Sequence, residues 1–112
     1  MTQNNVWRPF AHGGSLGTAG SEGGTILLDE ELDAGSRITL ERTSSRLAIT
    51  CGIYGWMVHT RFLSSESVAR AEYATMKAEL TTLVDCLPTD LTNNDAIDRA
   101  IIEINEFVTR YP

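Results

Sequence analysis

Between Arg46 and Leu63 the sequence runs RLAITCGIYGWMVHTRFL, eighteen residues with the alternation and the β-branched and aromatic content of a strand. A single strand of that length would reach about 60 Å at roughly 3.3 Å per residue. A domain of this size is only about 35 Å across, so the segment must reverse direction. Gly52 and Gly55 are the residues that permit it. A hairpin loop is therefore predicted over Gly52–Ile53–Tyr54–Gly55, between strands at 46–51 and 56–62.

The neighbouring segments follow the same logic. TILLDE reads as a strand, ELDAGS as a solvated acidic hairpin loop, and RITLERT as a second alternating strand turned at Thr43–Arg46. Beyond Leu63 the period changes. Ser64 or Ser65 caps a helix whose stripe is Ala69, Tyr73, Met76, Leu80, Leu83, Val84 and Leu87, and Pro88 ends it. A second helix opens with TNND, where Thr92 and Asp95 fit a capping box, and carries Ile97, Ala100, Ile101, Ile104, Val108 and Tyr111 on its apolar side. Glu106 and Arg110 are spaced for an ion pair on that helix. The order ββββαα predicts an α+β fold, a four-stranded antiparallel meander followed by two helices packed on one sheet face in two layers.

Residues 1–24 stand apart. Six of the nine glycines lie between Gly13 and Gly24, in a stretch that is costly to order and has little to bury. A flexible, glycine-rich N-terminal arm over 1–24 is expected, anchored if at all by Val6, Trp7 and Phe10, with a single domain over 25–112. His12 within the arm reads as solvent-exposed.

The two predicted turns fix strand registers. A turn at 52–55 sets Cys51 opposite Trp56 and Ile49 opposite Val58, and a turn at 43–46 sets Ile38 opposite Cys51 and Leu40 opposite Ile49. Facing residues share a side of the sheet. The face toward the helices then collects Ile38, Leu40, Leu47, Ile49, Cys51, Trp56, Val58 and Phe62. The open face receives Glu41, Ala48 and His59 in one row, with Met57 beside them and Arg46 and Arg61 in the next. Glu41, His59 and Arg61 are the polar constellation to consider for general base chemistry and anion binding. Met57, His59, Arg61, Glu41 and Arg46 equally form a mixed surface suited to binding a protein. Cys51 and His59 fall on opposite sides, which removes a cysteine nucleophile with a histidine base.

Composition limits the rest. Fifteen acidic against nine basic residues give a net charge of −6, which disfavours nucleic acid and anionic membranes and favours a basic protein partner. Cys51 and Cys86 form no C-x-x-C pair, and MTQNNVWRPF is not a secretory signal, so a cytoplasmic protein with reduced thiols is expected. No histidine–cysteine grouping has metal-ligand spacing, and the glycines form neither G-x-G-x-x-G nor a Walker motif, so no cofactor is expected. In size, acidity and order of elements the chain resembles small bacterial immunity and antitoxin proteins, which act by binding another protein; the resemblance implies no residue roles. The function expected is non-catalytic protein–protein binding, with homodimerisation through the open face or an edge strand. The competing expectation is a small enzyme or ligand-binding protein built on Glu41, His59 and Arg61.

Overall fold

The computed structural model describes residues 6–112. Of the segment read as an arm, residues 1–5 lie outside the described residues. In chain order the elements are β1 (Trp7–Pro9), β2 (Thr25–Leu32), β3 (Ser36–Arg42), β4 (Leu47–Ile53), β5 (Met57–Leu63), α1 (Glu66–Asp85) and α2 (Asn94–Arg110). The strands form one antiparallel sheet in the order β1-β2-β3-β4-β5, and both helices pack on one of its faces. The class is α+β, with five strands rather than four. The additional strand is β1, where Trp7 pairs with Leu32 and Pro9 with Glu30. Three residues that include a proline are too few to show alternation in the sequence. The strand is held by its tryptophan, whose Nε1–H donates to Thr81 Oγ1 of α1 at 2.8 Å.

The core lies between β3–β4 and the helices. Ile38, Leu40, Leu47, Ile49, Cys51 and Ile53 meet Tyr73, Met76 and Leu80 of α1 and Ile104 and Phe107 of α2. Phe107 is fully buried and contributes about 2–3 kcal/mol, although it falls outside the predicted apolar stripe of its helix. Ile101, placed in that stripe, is 46 % exposed. The buried residues of α2 are Ala100, Ile104 and Phe107.

Helix ends follow local chemistry. Ser65 caps α1 through its hydroxyl, which accepts from the Val68 N–H. Asn93, not Thr92, caps α2: its Oδ1 accepts from Ala96 N–H at 3.1 Å, while Thr92 turns back to Asp90. The ion pair expected within α2 is replaced by one between helices, since Arg110 binds Glu79 of α1.

The β3–β4 register is the one read from the sequence, Ile38 opposite Cys51 and Leu40 opposite Ile49. Thr43 closes that turn, donating from both its N–H and its hydroxyl to the Arg46 carbonyl. The β4–β5 register differs by three residues. Gly52 stays in the strand opposite Val58, Ile53 pairs with Met57, and Cys51 pairs with His59. The reversal occurs at Tyr54–Gly55–Trp56, with Trp56 N–H bonded to the Ile53 carbonyl and Gly55 at φ +84°. Continuing the strand through Gly52 buries Ile53 to 2 % exposure, where the earlier turn would have put it in solvent. An odd shift reverses which side every β5 residue faces.

Candidate functional site

Because of that reversal, Met57, His59 and Arg61 point toward the helices, and Glu41 points to the opposite, outer face; Cys51 and His59, expected on opposite sides, instead lie directly opposite each other on the helix side. The structure therefore does not bring together the residues on which the catalytic reading rests. His59 Nε2 donates to the Tyr111 carbonyl at the end of α2. Arg61 pairs with Glu72 of α1 at 2.9 Å and donates to the Pro112 carbonyl at 3.2 Å. Met57 packs against the core, and Arg46 sits on the outer side, its guanidinium 3.9 Å from the centre of the Phe62 ring. These side chains knit β5 to the helices or cover an aromatic ring.

The outer face is organised in rows across the strands. Asp29, Thr39, Thr50 and Thr60 form one row; Glu31, Arg37, Gly52 and Val58 form the next; Ile26, Glu41, Ala48 and Phe62 form a third. Asp29 lies within β2 and is 3 % exposed. Four donors converge on it: Arg37 through Nε at 2.9 Å and through NH2 at 2.7 Å, Ser15 Oγ at 2.8 Å and Thr39 Oγ1 at 3.2 Å. The carboxylate in turn raises the Arg37 pKa, chiefly through its hydrogen bond. The Arg37 guanidinium carbon lies 3.5 Å from the centre of the Phe10 ring.

Residues 10–24 thus lie over the β2–β3 half of the outer face. They reach it through a tight turn in which Ala11 and His12 both take left-handed conformations, at φ 52° and 55°. Val6 is 67 % exposed, so Trp7 and Phe10 are the anchors. The glycines serve close approach. Gly24 N–H donates to a Glu41 carboxylate oxygen at 2.8 Å, and Glu22 N–H reaches both oxygens at 3.2 Å. Glu41 is wholly buried beneath them. A methyl group on Gly20 would lie 2.5 Å from the Glu41 carboxyl carbon, and one on Gly24 would lie 2.4 Å from the Arg42 carbonyl oxygen.

The cover stops short of β5. On the β4–β5 half, Tyr54 is 62 % exposed, Val58 80 % and Phe62 39 %. Where the cover ends, Ala19–Ser21 and the side chains of Arg37, Tyr54 and Val58 border an open groove of about 480 Å³ floored by Thr39, Thr50 and Gly52. Tyr54, Val58 and Phe62 escaped the sequence reading because the predicted turn put one in a loop and two in the core. The signal that finds them is the alternation Leu47, Ile49, Cys51, Ile53, which carries through Gly52 and moves the turn.

Chemically this face offers contact area and hydroxyls. The Thr50 and Thr60 hydroxyls lie 3.3 Å apart. Burial pushes the Cys51 thiol, on the helix side, up to about 12, where it stays protonated at neutral pH. Among the described residues no group of three or more His, Cys, Asp or Glu side chains could hold a metal ion. No helix among them is long and apolar enough to cross a membrane. Compared with known proteins, the chain matches no family model, no curated protein and no solved structure, so the site is argued from its own geometry.

Proposed function

We propose that this is a non-catalytic cytosolic protein that acts by binding another protein through the outer side of β4 and β5. One observation carries the reading: among the described residues, Tyr54, Val58 and Phe62 stand exposed on the β4–β5 half of the outer face, while residues 10–24 cover the other half. Exposed aromatic and branched side chains on a flat strand surface suit a protein interface. The enzyme reading loses its support, because Glu41 and His59 are separated by the sheet and the Glu41 oxygens are engaged by backbone N–H groups. The cytosolic setting is supported by two unpaired cysteines, Cys51 buried and Cys86 exposed.

Charge refines the choice of partner. Residues 66–112 carry nine acidic and four basic side chains, so 4 − 9 = −5 of the net −6 lies in the helical layer. Residues 46–65 contain no carboxylate at all. A basic partner would meet the helices, whereas the bare β4–β5 surface selects by apolar contact. The test is affinity capture by wild type, Val58→Lys and His59→Ala, with circular dichroism as the control for folding. The reading expects a captured partner to be lost with Val58→Lys and retained with His59→Ala. Retention by Val58→Lys overturns it.

A further inference from the structure

The sheet has two edges, and they are built differently. The β1 edge is three residues long, contains Pro9, and leads directly into the left-handed turn at Ala11–His12. Shortness and proline are the usual means of keeping an edge from pairing. The β5 edge has seven residues, MVHTRFL, with no proline, no lysine and no bulge in its pairing with β4. Among the described residues, its backbone bonds to no segment other than β4. In an antiparallel pair, alternate residues turn N–H and C=O away from the partner, so β5 offers a row of unmet backbone groups beside its exposed Val58.

We propose that the occupant of this edge is β5 of a second copy of the chain, joined antiparallel about a two-fold axis through Thr60. The inference rests on the protein-binding reading above and names the partner. Its warrant is the self-complementarity of the strand. With the axis normal to the sheet, each residue must meet one on the same side, so the registers available centre on His59, Thr60 or Arg61. Centring on His59 or Arg61 puts that residue against its own copy, two like groups directly opposite. Centring on Thr60 sets Val58 opposite the partner's Phe62, Met57 opposite the partner's Leu63 and His59 opposite the partner's Arg61, each twice. Branched–aromatic pairs of this kind are favourable across strands. Both exposed apolar side chains on the outer side of β5 are then covered by one operation.

The charge distribution permits it. The negative charge resides in the helical layer, and no carboxylate lies within residues 46–65 of either copy. Arg61 is held by Glu72 and the Pro112 carbonyl within its own chain and His59 by the Tyr111 carbonyl, so both are already engaged on the helix side where they meet across the seam. The result is a continuous ten-stranded sheet with its helices on one side.

Register-specific disulfide formation tests the proposal directly, in a Cys86→Ser background that removes the exposed native thiol. Thr60→Cys should oxidise to a covalent dimer. Val58→Cys alone should not, whereas mixing it with Phe62→Cys should link the two variants. Sedimentation of the unmodified protein should show a dimer, and Val58→Lys should weaken association at least about tenfold. Thr60→Cys that stays monomeric, Val58→Cys that links to itself, or a dimer indifferent to Val58→Lys each overturns the assignment. A folded monomer that still loses a captured partner on Val58→Lys rejects the second copy while preserving the broader reading. A dimer by the Thr60 register that captures nothing further supports the assignment and makes self-association the binding function.

Discussion

The carboxylate of Glu41 accepts the Gly24 N–H at 2.8 Å on the side of the sheet away from the helices. This contact converts a glycine-rich segment into part of the fold. Glu41 takes two backbone donors, Gly24 and Glu22, and its side chain is closed over by Gly20 and Gly24. Asp29 does the same one strand away, through Ser15 and through Arg37 beneath Phe10. Two buried carboxylates thereby decide which half of the outer face residues 10–24 cover.

The two close-packed glycines should differ in their tolerance of a methyl group. At Gly24 the obstacle is the Arg42 backbone carbonyl, which cannot move without breaking β3; at Gly20 it is the end of the Glu41 side chain. Thermal unfolding should therefore show Gly24→Ala destabilised by about 2–3 kcal/mol and Gly20→Ala by less. Equal effects would place the constraint elsewhere.

Asp29→Asn replaces an acceptor of four hydrogen bonds by a group that presents an NH2 to some of those donors. Arg37 remains partly exposed, which moderates the cost of leaving it unpaired. A loss of about 2–4 kcal/mol is expected in denaturant titration, against less than about 0.5 kcal/mol for the exposed pair partner Asp33→Asn.

The cysteines should separate cleanly. Cys86 is exposed and should react with a thiol reagent in the native state, while Cys51 should react only on unfolding. The Cys51 thiol rises from 9.0 to about 12 in the fold, so its stabilising contribution is complete below pH 9 and is lost as pH rises toward 12. Within that window it lowers unfolding free energy by about 1.4 kcal/mol per pH unit. Burial also raises the phenols of Tyr73 and Tyr111, each hydrogen-bonded to a glutamate, and adds to the alkaline loss above pH 10. Cys51→Ala should flatten the slope between pH 9 and 10 whatever it does to stability at neutral pH.

What was legible in the sequence follows from how local each determinant is. The β3–β4 turn is fixed by Thr43 and Arg46 alone, and its register follows from the alternation on either side. The helices are set by caps and periodicity, with the shift of the α2 cap to Asn93 decided by competition from Asp90 for Thr92. The β4–β5 turn was ambiguous because two glycines, Gly52 and Gly55, each permit a reversal; burial of Ile53 decides between them. His59 and Arg61 on the core side look wrong by polarity and become reasonable only with Tyr111, Pro112 and Glu72 in place, partners drawn from α1 and from the residues after α2. Likewise a glycine-rich stretch reads as an arm until Glu41 and Asp29 are seen beneath it.

Residue-resolved amide hydrogen exchange tests the central claim that residues 10–24 are a fixed cover over the β2–β3 half of the outer face. The Glu22 and Gly24 amides should be protected to the level of β3, and Glu41→Gln should release both together while α1 and α2 keep their protection. Exchange of the Gly24 amide in the wild-type protein at the rate of unstructured chain would contradict the account.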